Sequence, residues 1–261
     1  MKKLLAIVMA LSLVVCCFAA CGGTTEEPTT DSKEETTVAS DETSASDEET
    51  SAEEAEALVC DYAGFVAADM DTKVTVETYV QAKQSWWDNK ATVYTQCEDG
   101  AYFLYEMACS EEDYAKLVPG TKIKVTGYKS EWSGEVEITD ATFEILEGEF
   151  VAEALDVTAL LADEALIEKQ NMLVSFKGMT VEAANDAGDA FLYNWDGSGE
   201  DGNDLYFNVS CGGQTYNFCV ESYLCGAGTE VYEAVKALKV GDKIDLEGFL
   251  YWYEGVNPHI T

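Results

Sequence analysis

The chain has 261 residues, with 50 acidic side chains against 15 lysines and no arginine, for a formal net charge of −35. Nucleic-acid binding draws most of its affinity from neutralised phosphates, and bidentate reading of phosphate or guanine is mainly arginine chemistry, so this composition argues against nucleic acid, polyphosphate and anionic lipid as partners. His259 is the sole histidine, no Ser-His-Asp or Cys-His arrangement can be built around it, and neither a Gly-rich phosphate loop nor an HExxH occurs, so no catalytic centre is expected.

Met1-Lys2-Lys3 is a basic start, residues 4–15 form a short apolar run, and Phe18-Ala19-Ala20-Cys21 closes it with small residues before a cysteine. The run is too short to span a bilayer, so residues 1–20 read as a cleaved signal. The segment resembles the lipobox of bacterial lipoproteins, with Phe18 where that family usually has Leu. The resemblance implies that Cys21 becomes a lipidated N-terminus facing the extracellular side. Its acyl chains would hold the membrane at about 0.8 kcal/mol per buried methylene. The competing reading is a plain secretory signal with a chance cysteine. From there to residue 57 the composition turns to Thr, Ser, Ala, Glu and Asp, with no aromatic side chain. Such a stretch builds no core and self-repels, so residues 21–57 are expected to be a disordered acidic tether beginning at the lipidated cysteine.

The remaining 204 residues divide into two modules, 58–149 and 150–261. In the first, residues 73–80 alternate as a strand, and 91–96 and 101–105 flank Glu98-Asp99-Gly100 as a hairpin. Residues 110–117 read as a helix, with Ser110 as N-cap, acids in the first turn, and Pro119-Gly120 ending it. A strand at 122–128, a turn at Glu131-Trp132-Ser133-Gly134 and a strand from 135 to about 146 complete the module.

The second module repeats this order after a helical lead-in at 157–169. Strands are expected at 172–182, 205–210 and 215–221, then a helix near 229–238, a strand at 243–249 and a short strand near Ile260. Gly178 marks a bend inside the first of these strands. The repeat is also visible directly: residues 117–128 and 238–249 share five of twelve positions. The order β-β-β-α-β-β predicts a mainly β (α+β) protein of two tandem five-stranded OB-fold-like Greek-key barrels. Residues 58–146 resemble secreted lipoproteins of Gram-positive anaerobes that carry OB-type modules, notably across Tyr79-Val-Gln-Ala-Lys-Gln-Ser-Trp-Trp-Asp-Asn-Lys90 and Gly127-Tyr-Lys-Ser-Glu-Trp-Ser-Gly134. That resemblance implies fold and location, and no activity.

Six cysteines fall in the modules: Cys60, Cys97, Cys109, Cys211, Cys219 and Cys225. Cys97 and Cys109 stand at opposite ends of a hairpin strand, roughly 25 Å apart at about 3.3 Å per residue, beyond disulfide reach. The same reasoning separates Cys211 from Cys219, so reduced, partly buried thiols are expected.

OB-folds take ligands on strands two and three, between the loops joining strands 1–2 and 4–5. These loops hold Trp86, Trp87 and Trp132 in the first module, and Trp195 with Tyr251-Trp252-Tyr253 in the second. An aromatic face beside Asp or Asn suits a sugar, whose C–H groups stack while its hydroxyls bond the polar side chain. The competing reading is cross-strand packing. Asn194, Asp196, Ser198 and Glu200, with Gly199 at position six, resemble a calcium loop, but Leu205 stands where its bidentate Glu belongs, so a flexible acidic loop is preferred.

The expectation is therefore a membrane-anchored extracellular lipoprotein without cofactor, a non-catalytic binding or structural module. Its partners would be the membrane through Cys21 and a cell-surface glycan, other neutral ligand, or protein. Alternatives are an extracellular OB-fold nucleic-acid-binding protein and a carboxylate-dependent hydrolase.

Overall fold

A computed structural model describes residues 56–261; the signal segment, Cys21 and all but the end of the tether lie outside the described residues. The first module comprises β1 (Leu58–Val59), α1 (Tyr62–Ala67), β2 (Lys73–Lys83), β3 (Lys90–Gln96), β4 (Ala101–Ala108), α2 (Glu111–Lys116), β5 (Thr121–Trp132) and β6 (Glu135–Glu149). Strands pair in the order β2-β3-β4-β6-β5, and β5 returns to β2, closing a five-stranded barrel. The β4–β6 contact is parallel, Phe103 facing Glu137 and Leu104 facing Ile138, because the chain crosses the barrel through α2 before β5. Ser110 caps α2 by accepting the Asp113 amide, as the acid-rich first turn leads one to expect.

The second module comprises β7 (Leu155–Asp156), β8 (Leu173–Glu182), β9 (Leu192–Tyr193), β10 (Leu205–Cys211), β11 (Gln214–Val220), α3 (Glu230–Lys236), β12 (Lys243–Phe249) and β13 (His259–Ile260). The ring β8-β10-β11-β13-β12 closes with the same connectivity, again with a parallel contact between its third and fifth strands and with α3 between its third and fourth. The chain thus forms two tandem OB-type barrels, and both belong to one compact unit.

The repeat extends further than the sequence showed. Each barrel is preceded by a two-residue strand pairing in parallel with its first strand: Leu58–Val59 on Val74–Thr75, and Leu155–Asp156 on Val174–Ser175. A short helical segment then carries apolar side chains to the core, Phe65 in the first module and Leu161 and Leu166 in the second. The expected helix at 157–169 is two 3₁₀ helices, Thr158–Leu160 and Glu164–Lys169. Asp163 interrupts them, its side chain accepting the Ala165 amide in competition with a continuous helical ladder.

Gly178 has φ +65° at a bulge where Lys177 and Gly178 oppose Asp245, whose carboxylate accepts the Gly178 amide. Gly127 and Gly248 are equivalent, pairing with Val74 and Val174. Gly127 lies inside β5 rather than at its end, because the β5–β6 hairpin continues to Trp132. All six cysteines of the described residues are free; Cys97 packs against the first core and Cys211 against the second.

Candidate ligand groove

Alternation along β3 and β4 sends Val93, Tyr102 and Leu104 into the first barrel and turns Tyr94, Phe103 and Tyr105 outward. The second barrel covers the middle of this outer face. Phe249 stacks on Tyr94 with ring centroids 4.3 Å apart, and the Tyr94 hydroxyl shares a 2.8 Å hydrogen bond with His259 Nδ1. Tyr251 meets Phe103 edge-on at 5.5 Å and stacks on His259 at 4.3 Å. Burial lowers His259 to about 3, so it is a neutral packing imidazole at the strand end.

Buried carboxyls gather along the same seam. Glu135 accepts the Trp252 amide through Oε2 at 2.9 Å, while its Oε1 and the neighbouring Asn171 Oδ1 have no partner. Burial pushes Glu135 up to about 8, against the bond from the Trp252 amide, which favours the charged form. Glu137 and Glu221 are pushed up to about 7 by burial as well.

Beyond the seam the OB face stays open. A cavity of about 490 Å³ is lined by Trp87, Lys90, Thr92, Tyr105, Glu106 and Tyr223 among others, with Lys90 and Glu106 paired at 2.6 Å. A cavity of about 210 Å³ adjoins it through Tyr105 and is completed by Trp132, Glu137 and Tyr251. The two share Tyr105 and together extend from β3 and β4 toward β6 and the end of β5, lined by aromatic side chains from both modules.

The structure brings some predicted aromatics together and separates others. Trp87 is 75% exposed beside a tight turn at Asp88 and Asn89, both with positive φ, and Trp132 is 54% exposed beside Tyr253 at 5.0 Å. Trp86 is half-buried, its indole N–H donating to the Cys109 carbonyl at 2.9 Å, and does not line the groove. Trp252 is half-buried over Gly134. The two strand 4–5 loops meet each other, the Glu254 amide donating to the Ser133 carbonyl at 2.7 Å, so these jaws share one seam. Trp195 is 76% exposed in the separate 194–204 loop.

That loop is tied together by its own side chains. Asp196 Oδ1 accepts the Ser198 amide, Asn203 Oδ1 accepts the Glu200 amide, and Asp201 pairs with Lys236 at 2.7 Å. Among the described residues no group of three or more His, Cys, Asp or Glu is placed to hold a metal ion. Sequence reasoning missed Tyr105, Glu137 and Tyr223. For Tyr105 a signal existed: the unbroken apolar run Ala101-Tyr-Phe-Leu-Tyr105 marks a strand with apolar side chains on both faces.

No family model matches the chain, and no curated protein matches it. Solved structures do. One is a murine DNA binding protein bound with double-stranded DNA, 12% identical, TM-score 0.35, covering 70% of this chain and 90% of that one. Another is p202 HIN1 in complex with 12-mer double-stranded DNA, 13% identical, TM-score 0.33, covering 74% and 90%. A third is a replication protein A heterotrimer bound to single-stranded DNA, 14% identical, TM-score 0.26, covering 72% and 50%. All three were solved with DNA bound, which runs against the expectation that composition sets nucleic acid aside; at these identities the likeness is one of fold. Net charge is a sum over the whole surface, whereas stacking on exposed aromatics is local and does not depend on neutralising every phosphate.

Proposed function

We propose that the protein is a non-catalytic binding module, held on the extracellular face of the membrane through lipidated Cys21, that captures an oligosaccharide in the aromatic groove of its first barrel. The observation behind this reading is the row of exposed rings, Trp87, Tyr105, Tyr223 and Trp132, beside Glu106 and Lys90 on the open part of strands two and three. Rings stack on the C–H faces of sugars while the charged pair offers both an acceptor and a donor for hydroxyls. A single-stranded nucleic acid is the second reading, favoured by the same row, because every base has a face to stack. Lys90 is the one cation lining the groove, so such binding would show a shallow dependence on salt.

The test uses full-length Cys21→Ala protein, expected in the soluble rather than the membrane fraction. Neutral oligosaccharides and a single-stranded oligonucleotide are titrated against tryptophan fluorescence. Saturable quenching by an oligosaccharide, weakened about tenfold or more by Trp87→Ala, supports the first reading. Quenching by the oligonucleotide alone, with little change between low and moderate salt, supports the second. Retention of a processed Cys21→Ala protein on the membrane would remove the lipid anchor, and no response to any probe would remove the groove.

A further inference from the structure

The smaller cavity differs in chemistry from the rest of the groove. Its walls are Tyr105 from β4, Trp132 from the end of β5 and Tyr251 from the loop after β12, and the remaining lining residue is Glu137 of β6. Glu137 is only 7% exposed, its carboxylate is not among the fully enclosed polar atoms, and among the described residues no hydrogen bond or ion pair reaches it. A carboxylate largely withdrawn from water without a cation or donor is costly, and the usual remedy is a counter-charge.

Aromatic walls favour an organic cation over a strongly hydrated metal ion: ring quadrupoles attract its positive charge, and the apolar walls match its methyl surface. A hard inorganic cation would need several oxygen ligands, and this cavity brings one carboxylate. At about 210 Å³ the space lies below the roughly 300–1,000 Å³ of drug-sized sites, which suits a head group rather than a whole ligand. The strongly acidic chain would raise the local concentration of any cation.

We propose that Tyr105, Trp132 and Tyr251, together with Glu137, form a receptor for an alkylated or quaternary ammonium group. The inference concerns a class of ligand distinct from the oligosaccharide and does not require it. Burial holds Glu137 up to about 7, and a cation seated beside it returns the carboxyl to its charged form.

Calorimetric titration of the full-length protein with choline and with tetramethylammonium, at constant ionic strength in sodium chloride, tests this. The uncharged isostere of choline, 3,3-dimethylbutan-1-ol, separates cation recognition from apolar filling. Saturable binding of both cations is expected, at least about tenfold tighter than the isostere. Glu137→Gln and Trp132→Leu should each weaken it by about tenfold or more, with the far-ultraviolet dichroism unchanged. Trp87→Ala, which belongs to the larger cavity, should leave cation binding intact, so a failed oligosaccharide titration and a failed cation titration are distinguishable. Should Glu137→Gln fail to fold, the exposed Trp132 variant and the isostere decide. Absence of saturable cation binding, equal affinity for the isostere, or a folded Glu137→Gln or Trp132→Leu protein that binds choline as before would overturn the proposal.

Discussion

Two glycines show how the same residue type serves different physical needs. A Cβ at Gly248 would lie 2.2 Å from the His259 carbonyl oxygen and 2.7 Å from Ile260 Cα, and one at Gly127 would lie 2.7 Å from the Thr139 carbonyl oxygen. In each barrel the backbone of strand five crosses against strand four with room only for hydrogen. Gly178 is the opposite case, with φ +65° and open space around it. Gly248→Ala should therefore lose about 1–3 kcal/mol through backbone displacement, and Gly248→Asn should be no better. Gly178→Ala should lose about 1–2 kcal/mol, and Gly178→Asn should recover part of it because Asn tolerates left-handed backbone. Urea unfolding of the four variants checks this; Gly248→Ala within about 0.5 kcal/mol of the parent would refute the close-approach argument.

At the scale of elements, β3 and β4 carry the argument, because their outer face is shared between the second barrel and solvent. Tyr94 gives Phe249 a stacking partner and His259 a hydrogen bond, so Tyr94→Ala removes both and opens a cavity between the barrels. A loss of about 3–5 kcal/mol is expected, with unfolding split into two steps as the barrels lose their common seam. Coincident transitions in calorimetry and tryptophan fluorescence for this variant would show that the barrels are coupled elsewhere. The strands themselves were legible in alternation and turn chemistry: all ten barrel strands lie where residues 73–146 and 172–260 predicted them. The pairs β1–β2 and β7–β8 were not, because two residues carry no period.

For the molecule as a whole, the buried carboxyls of the seam tie stability to pH. Glu135 at about 8, with Glu137 and Glu221 at about 7, hold their protons more tightly in the folded protein than at the ordinary 4.5. Their contribution is complete below 4.5 and is lost as pH rises through 7 to 8, since above 4.5 the folded state carries more protons than the unfolded. His259, lowered to about 3, acts oppositely below its unfolded value of 6.5 and is neutral in both states above it. The melting temperature should therefore fall between pH 6.5 and 8.5, and Glu135→Gln, which keeps an acceptor for the Trp252 amide, should flatten the fall. An unchanged slope in that variant would place the titrating group elsewhere.

By itself, the sequence determined two barrels, their connectivity and the loops that hold the tryptophans, because alternation, caps and turn residues are local and each module repeats them. Only the tertiary structure decided that the barrels share one seam, that Trp86 and Trp252 are half-buried while Trp87 and Trp132 stay open, and that Glu137 lines one cavity with three rings drawn from three separate segments. Which of two outward faces meets a second barrel depends on contacts between residues more than a hundred positions apart, such as Tyr94 with Phe249 and Glu135 with Trp252, and no local pattern encodes those distances.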